Sequence, residues 1–147
     1  MRVRELLQRK GSDVVTVRQG TPVGEATRLL MQHRIGGLPV VDDRGSVVGL
    51  LSERDVVRAV DRNGARVSEL AVSEVMSRPA PVIDAGAPLQ ELMSDMTEER
   101  HRHVVITDGD RLVGVLSVGD VVKYRLEQLE TETGVLRDYV AAQRAAP

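Results

Sequence analysis

The chain has 147 residues, with 20 Lys and Arg against 22 Asp and Glu and a net charge of −2 with His neutral, which excludes a polycationic nucleic-acid coat. Cys, Phe and Trp are absent, so there is no disulfide frame, thiolate zinc centre or cysteine nucleophile, and little aromatic surface for stacking unpaired bases. No run approaches the roughly 18 apolar residues of a membrane span, and Met1–Glu5 lacks the apolar core of a secretory signal, so the expectation is a soluble cytoplasmic protein.

In chain order, a short strand is expected at Val14–Val17. Thr21 can cap a helix with Pro22 at its first position, and Val23, Ala26, Leu29 and Leu30 follow at helical spacing. His33 closes that helix face, a place that suits a partial positive charge and a structural role. A β-branched run at 38–41, a turn at Asp42–Ser46 and an apolar run at 47–51 read as a hairpin. Ser52 then opens a helix, with Asp55 three residues on as the pattern of a helix start. Residues 63–81, broken by Gly64, Pro79 and Pro81, read as a linker. The same order returns at Val82–Ile83, at Leu89, Leu92, Met93 and Met96, at 103–107, at Asp108–Asp110, at 112–116 and at Ser117 with Asp120.

The return is a sequence repeat. Residues 48–58, VGLLSERDVVR, match 113–123, VGVLSVGDVVK, at seven of eleven positions with an offset of 65. Upstream, Pro22–Ala26 and Leu38–Asp42 match Pro88–Leu92 and Val104–Asp108 at an offset of 66. One such unit buries too little surface to be secure alone, so two are expected to pair about a pseudo-twofold axis. The organisation expected is a first repeat at 1–62, a linker at 63–81, a second repeat at 82–123 and a closing helix at 124–147. In that helix Val122, Leu126, Leu129, Thr133, Leu136 and Val140 are spaced 4-3-4-3-4, a coiled-coil-like seam, weakened in its middle by Thr133 and Gly134 and too short for a free-standing coiled coil, that either packs on its own domain or contributes to a dimer.

Two copies of apolar-Gly-apolar-Leu-Ser-x-x-Asp-Val-Val, each after a strand-turn-strand, resemble the CBS domain. The resemblance covers 12–58 and 78–123, and the pair is similar to a Bateman module in a small stand-alone protein. It implies an α+β fold of two pseudo-symmetric domains, each a small sheet with helices on one side. It also implies two clefts between the paired sheets, an adenosine nucleotide such as AMP, ADP, ATP or NAD(H) as regulatory ligand with no cofactor required, a homodimer, and a protein effector that the sequence does not identify.

The residues can be read in that light one by one. An ionised carboxylate accepts two hydrogen bonds and a ribose offers two adjacent donors, so Asp55 and Asp120 either grip a ribose, as the resemblance implies, or close capping boxes with Ser52 and Ser117. Those serines either cap or donate to a ligand oxygen beside N–H groups that favour phosphate. Thr16 resembles a family Thr whose hydroxyl faces the cleft; its counterpart, Val82, has none. In Arg100–His103, strand alternation would put His101 and His103 on one face and Arg100 and Arg102 on the other. Arg102 and His103 resemble a phosphate-binding basic pair, or are edge charges; a metal at the two histidines lacks a third ligand fixed by the sequence. Gly36 and Gly37 stand at the corresponding place in the first copy, so the clefts are expected to be unequal. Arg54 either reaches phosphate or pairs with Glu53 or Asp55, and Lys10 is placed near a cleft mouth. The apolar runs at 38–41 and 104–106 are expected to flank adenine. With three His and neither a Walker loop nor Gly-x-Ser-x-Gly, a binding module is favoured over an enzyme. The other reading is an oligomerisation module with degenerate clefts and no nucleotide.

Overall fold

Alternating β-branched residues around tight Gly-containing turns make two hairpins, and each accepts one further short strand along its edge. The computed structural model describes residues 1–11 and 13–145. Its elements are α1 (Val3–Lys10), β1 (Val17–Arg18), α2 (Val23–His33), β2 (Gly37–Val41), β3 (Val47–Ser52), α3 (Glu53–Asn63), β4 (Val82–Asp84), α4 (Leu89–Glu98), β5 (His103–Asp108), β6 (Arg111–Ser117) and α5 (Val118–Ala145). The sheets run β1-β2-β3 and β4-β5-β6. In each, the first pair is parallel and the hairpin antiparallel. Both hairpins carry an irregularity at the same repeat position, Val40/Val41 and Ile106/Thr107. Both tips place a glycine at positive φ, Gly45 at 81° and Gly109 at 62°, where a side chain would strain the turn. This is an α+β fold of two like halves with a closing helix. Among the described residues no helix is long and apolar enough to cross a membrane.

Four expectations need correction. Pro22 is the cap of α2 rather than its first residue, with extended φ −61° and ψ 140° and no side-chain cap bond. The helix start is served from outside: Val23 N–H donates to Leu70 O at 2.8 Å, and Thr21 O accepts from Val72 N–H at 2.8 Å. The first strand is shorter than Val14–Val17, because only Val17 and Arg18 pair with β2. No break falls at residue 124; α5 is continuous from Val118. Residues 146 and 147 lie outside the described part.

The fourth correction concerns the division of the chain. The cores do not follow 1–62 and 82–123. Val3 and Leu6 of α1 are buried with Ile83, Leu89, Leu92 and Leu116 of the second repeat. Val72 and Met76, from the expected linker, are buried with Val17, Val23, Leu38 and Leu51 of the first. Each repeat's lead-in thus completes the other's core. The backbone bonds are matched: Val3 N–H to Ala87 O and Arg4 N–H to Ala85 O, against Val72 N–H to Thr21 O and Ser73 N–H to Gln19 O. The lead-ins lie so close to the sheets that only glycine fits beneath them. A Cβ on Gly49 would meet Met76 Sδ at 2.5 Å and Ser77 O at 2.8 Å, and one on Gly114 would overlap Leu7.

Gly49→Ala should therefore destabilise the protein by about 1–3 kcal/mol, the usual cost of overpacking. Gly20→Ala, with open space around it, should stay within about 0.5 kcal/mol. Urea denaturation of both variants checks the contrast.

Candidate functional site

The hairpins end where α3 and α5 begin, so each Ser-x-x-Asp start sits at the mouth of a hollow whose other wall comes from the opposite repeat. The Asp55 cleft combines Leu50, Ser52 and Asp55 with Ser77, Pro79, Pro81 and the Arg100–His103 turn. The Asp120 cleft combines Val115, Ser117 and Asp120 with Asp13, Val14, Val15 and the Arg34–Gly37 turn, and Lys10 closes it. The turns are counterparts: Arg34 and Arg100 are the non-glycine residues at positive φ among those described, at 53° and 59°. The hollows measure about 300 and 210 Å³ respectively, at and just below the lower end of the range of small-ligand sites.

Both aspartates close capping boxes. Asp55 N–H donates to Ser52 Oγ at 3.2 Å, and Asp55 Oδ2 accepts from Ser52 N–H at 2.9 Å and Ser52 Oγ at 3.0 Å. Its other oxygen accepts from Ser77 Oγ at 2.8 Å and, at 3.4 Å, from Arg58. A carboxylate has about four acceptor sites, so these four donors saturate a side chain that is only 3% exposed. In the other cleft Asp120 N–H donates to Ser117 Oγ at 3.2 Å. Asp120 Oδ2 accepts from Ser117 N–H and from Lys10 Nζ, each at 2.8 Å. The described residues place no donor on its Oδ1, and the side chain is 24% exposed. Burial on its own would raise the Asp120 carboxyl; the hydrogen bonds from Lys10 and Ser117, with the Lys10 charge, outweigh it and hold the group below the usual carboxylate range.

His103 stands between the two hollows and lines both. It packs on its counterpart: a Cβ on Gly36 would lie 2.9 Å from His103 Nε2, and one on Gly37 3.0 Å from its Cγ. Two histidines could not share this crossing point, which gives Gly36 and Gly37 a steric reason. Burial first, then the neighbouring Lys10 and Arg102 charges, lowers the His103 pKa, while Glu53 and Asp120 pull the other way.

The remaining candidates divide. Arg54 and Arg102 are exposed and line the Asp55 cleft, Arg102 arriving from the opposite repeat. Lys10 sits at the Asp120 cleft, held also by Val115 O at 2.7 Å. Thr16 is exposed and is not among the residues lining either cleft; extended alternation turns Val15 and Val17 inward and Thr16 out. The expected alternation of Arg100–His103 fails because β5 begins only at His103. His101 leaves that face for Asp95, 2.9 Å from Nδ1 to Oδ2. The runs at 38–41 and 104–106 do not flank a cleft: Leu38, Val40, Val104, Val105 and Ile106 are fully buried core. The apolar walls are Val14, Val15, Ile35 and Val115 in one cleft and Leu50, Pro79 and Pro81 in the other. Sequence reasoning missed Arg34 and Ser77. The repeat offset marks Arg34 as the partner of Arg100, whereas Ser77 lies in a segment whose pattern suggested only a linker.

The CBS domain profile matches residues 3–62 and 72–127. The chain belongs to the CBS-domain family. The CBS domain-containing protein YhcV of Bacillus subtilis is 32% identical over 110 residues, covering 75% of this chain and 77% of that one. Hypoxic response protein 1 of Mycobacterium tuberculosis is 31% identical over 104 residues, covering 67% and 69%. This CBS pair spans far less of other relatives, 41% of the uncharacterized protein MJ1225 and 22% of inosine-5'-monophosphate dehydrogenase, both of Methanocaldococcus jannaschii. The crystal structure of the CBS-domain containing protein ATU1752 from Agrobacterium tumefaciens superposes with a TM-score of 0.80 at 42% identity, covering 84% of this chain and 92% of that one.

The lowered pKa values set two acid limbs. The unfolded chain takes up a proton at His103 near pH 6.5 while the folded protein resists it, so stability should fall as pH drops below that value. His103→Asn should flatten this limb. The contribution of Asp120 is present above its unfolded pKa of about 3.9 and is lost as pH falls through its lower folded value. The stability gap between the protein and Asp120→Asn should therefore shrink only in strong acid. Thermal melts across pH 3–8 separate the two.

Proposed function

We propose that the protein is a cytoplasmic regulatory CBS pair without catalytic activity, which binds the adenosine part of a nucleotide (AMP, ADP, ATP or NAD(H)) and signals its presence to a protein effector, acting as a homodimer. The observation that carries this reading is the Asp120 cleft. Val14, Val15, Ile35 and Val115 offer apolar walls for a base. Asp120 Oδ1 remains to accept from ribose hydroxyls. Ser117, the N-terminus of α5, Lys10 and Arg34 offer donors and positive charge for phosphate. The Asp55 cleft, with Arg54, Arg58, Arg100 and Arg102, suits a ligand bearing more phosphate, with Ser52 and His103 at its edge. Its Asp55 meets a ribose only by giving up Ser77 or the long Arg58 bond. A neighbour of the same fold at 22% identity, the CBS pair of protein MJ0100, is in complex with 5-methylthioadenosine and S-adenosyl-L-methionine, so this architecture accommodates adenosine compounds.

A second reading rests on the saturation of Asp55: a CBS pair with degenerate clefts that serves oligomerisation alone. Calorimetry separates them. Titration with AMP should give saturable heat. Asp120→Asn, which loses a charged hydrogen bond worth about 1.5–3 kcal/mol, should weaken binding roughly tenfold to a hundredfold. Absence of saturable heat with AMP, ATP and NAD alike would establish the second reading.

A further inference from the structure

The closing helix carries a surface that the nucleotide reading does not use. α5 runs unbroken for 28 residues, roughly 42 Å at 1.5 Å per residue. Only its first turns are docked. Val121 is buried in the second core, Tyr124 packs against that core, and the Arg9 guanidinium lies 5.1 Å over the Tyr124 ring. Beyond that the apolar seam stands in solvent, with Leu126 55%, Leu129 57%, Leu136 64% and Val140 45% exposed. The helix does not fold back on its own domain.

We propose that this seam pairs with the same seam of a second copy as a parallel, in-register, two-stranded coiled coil. The proposal deepens the homodimer part of the reading above and is independent of nucleotide binding. The heptad assigns Val122, Leu129 and Leu136 to position d and Leu126, Thr133 and Val140 to position a. Leu at two of the d sites with β-branched residues at two of the a sites favours two strands.

Orientation follows from charge. In a parallel pair each g residue faces the e residue five positions on in the other chain. That sets Arg125 against Glu130, Glu132 against Arg137 and Tyr139 against Arg144. Two are ion pairs, and the third places a guanidinium against an aromatic ring. An antiparallel pair that matched Glu130 with Arg137 would oppose Lys123 to Arg144, and one that matched Arg125 with Tyr139 would set Glu132 against its own copy. The parallel arrangement has no such clash.

The test uses the full chain, which contains no native cysteine. Light scattering should find a dimer for the protein and a roughly hundredfold weaker one for the double variant Leu129→Glu, Leu136→Glu. Both positions are exposed in the single chain, so circular dichroism and calorimetry with AMP should be unchanged. Val122→Cys and Leu136→Cys, oxidised separately, should each form an intermolecular disulfide in high yield; an antiparallel pair brings at most one of these positions onto its own copy. A monomeric protein overturns the coil and the homodimer together. A dimer that survives the double variant, or that links at one position or neither, overturns the parallel coil and leaves the homodimer and the nucleotide reading standing.

Discussion

Val3 and Val72 are both fully buried, and each is buried in the repeat to which it does not belong by sequence. This exchange is the constraint from which the rest of the structure follows. A unit of some sixty residues buries too little apolar surface to be comfortable alone. Here each unit also lacks part of its own core until the other unit's lead-in arrives. The lead-ins can lie that close only because Gly49 and Gly114 leave room under them. With both crossings made, the two sheets are held about a pseudo-twofold axis, and every cleft between them has one wall from each repeat.

The pseudo-symmetry is one of backbone, not of chemistry. At the crossing point the symmetry sets His103 opposite Gly37, and steric room there allows only one ring. The same inequality runs outward. Asp55 is saturated by Ser52, Ser77 and Arg58, whereas Asp120 shares one oxygen between Ser117 and Lys10 and, among the described residues, receives no donor on the other. One hollow gathers four arginines and the other gathers aliphatic walls with Lys10 and Arg34. Duplication thus supplies two hollows at corresponding places, and divergence gives them different linings. Because Asp120 lies in the first turn of α5, that cleft adjoins the root of the helix that stands free of the domain.

The local features of this fold were legible in the sequence because local physics decides them. The hairpins, their glycine tips and the two Ser-x-x-Asp helix starts all appear where pattern and turn chemistry placed them. What failed was non-local. Nothing in the periodicity of 3–10 or 72–76 says which repeat's core these residues fill, so the segment at 63–81 read as a linker although Val72 is fully buried. Thr16 was placed in a cleft by likeness, but the alternation set by Val15 and Val17 turns it out. The strands at 38–41 and 104–106 are apolar because they are covered on both faces, not because they face a base. Ser77 became part of the site only through the turn that brings it to Asp55, twenty-two positions earlier in the chain.

The hollow at Asp120 is built jointly by residues far apart in sequence. Amide NMR during titration with AMP reads it directly. Concerted, saturable shifts are expected at Val14, Val15 and Ile35 together with Val115, Ser117 and Asp120. Shifts confined to one repeat, or none at all up to millimolar AMP, would contradict it.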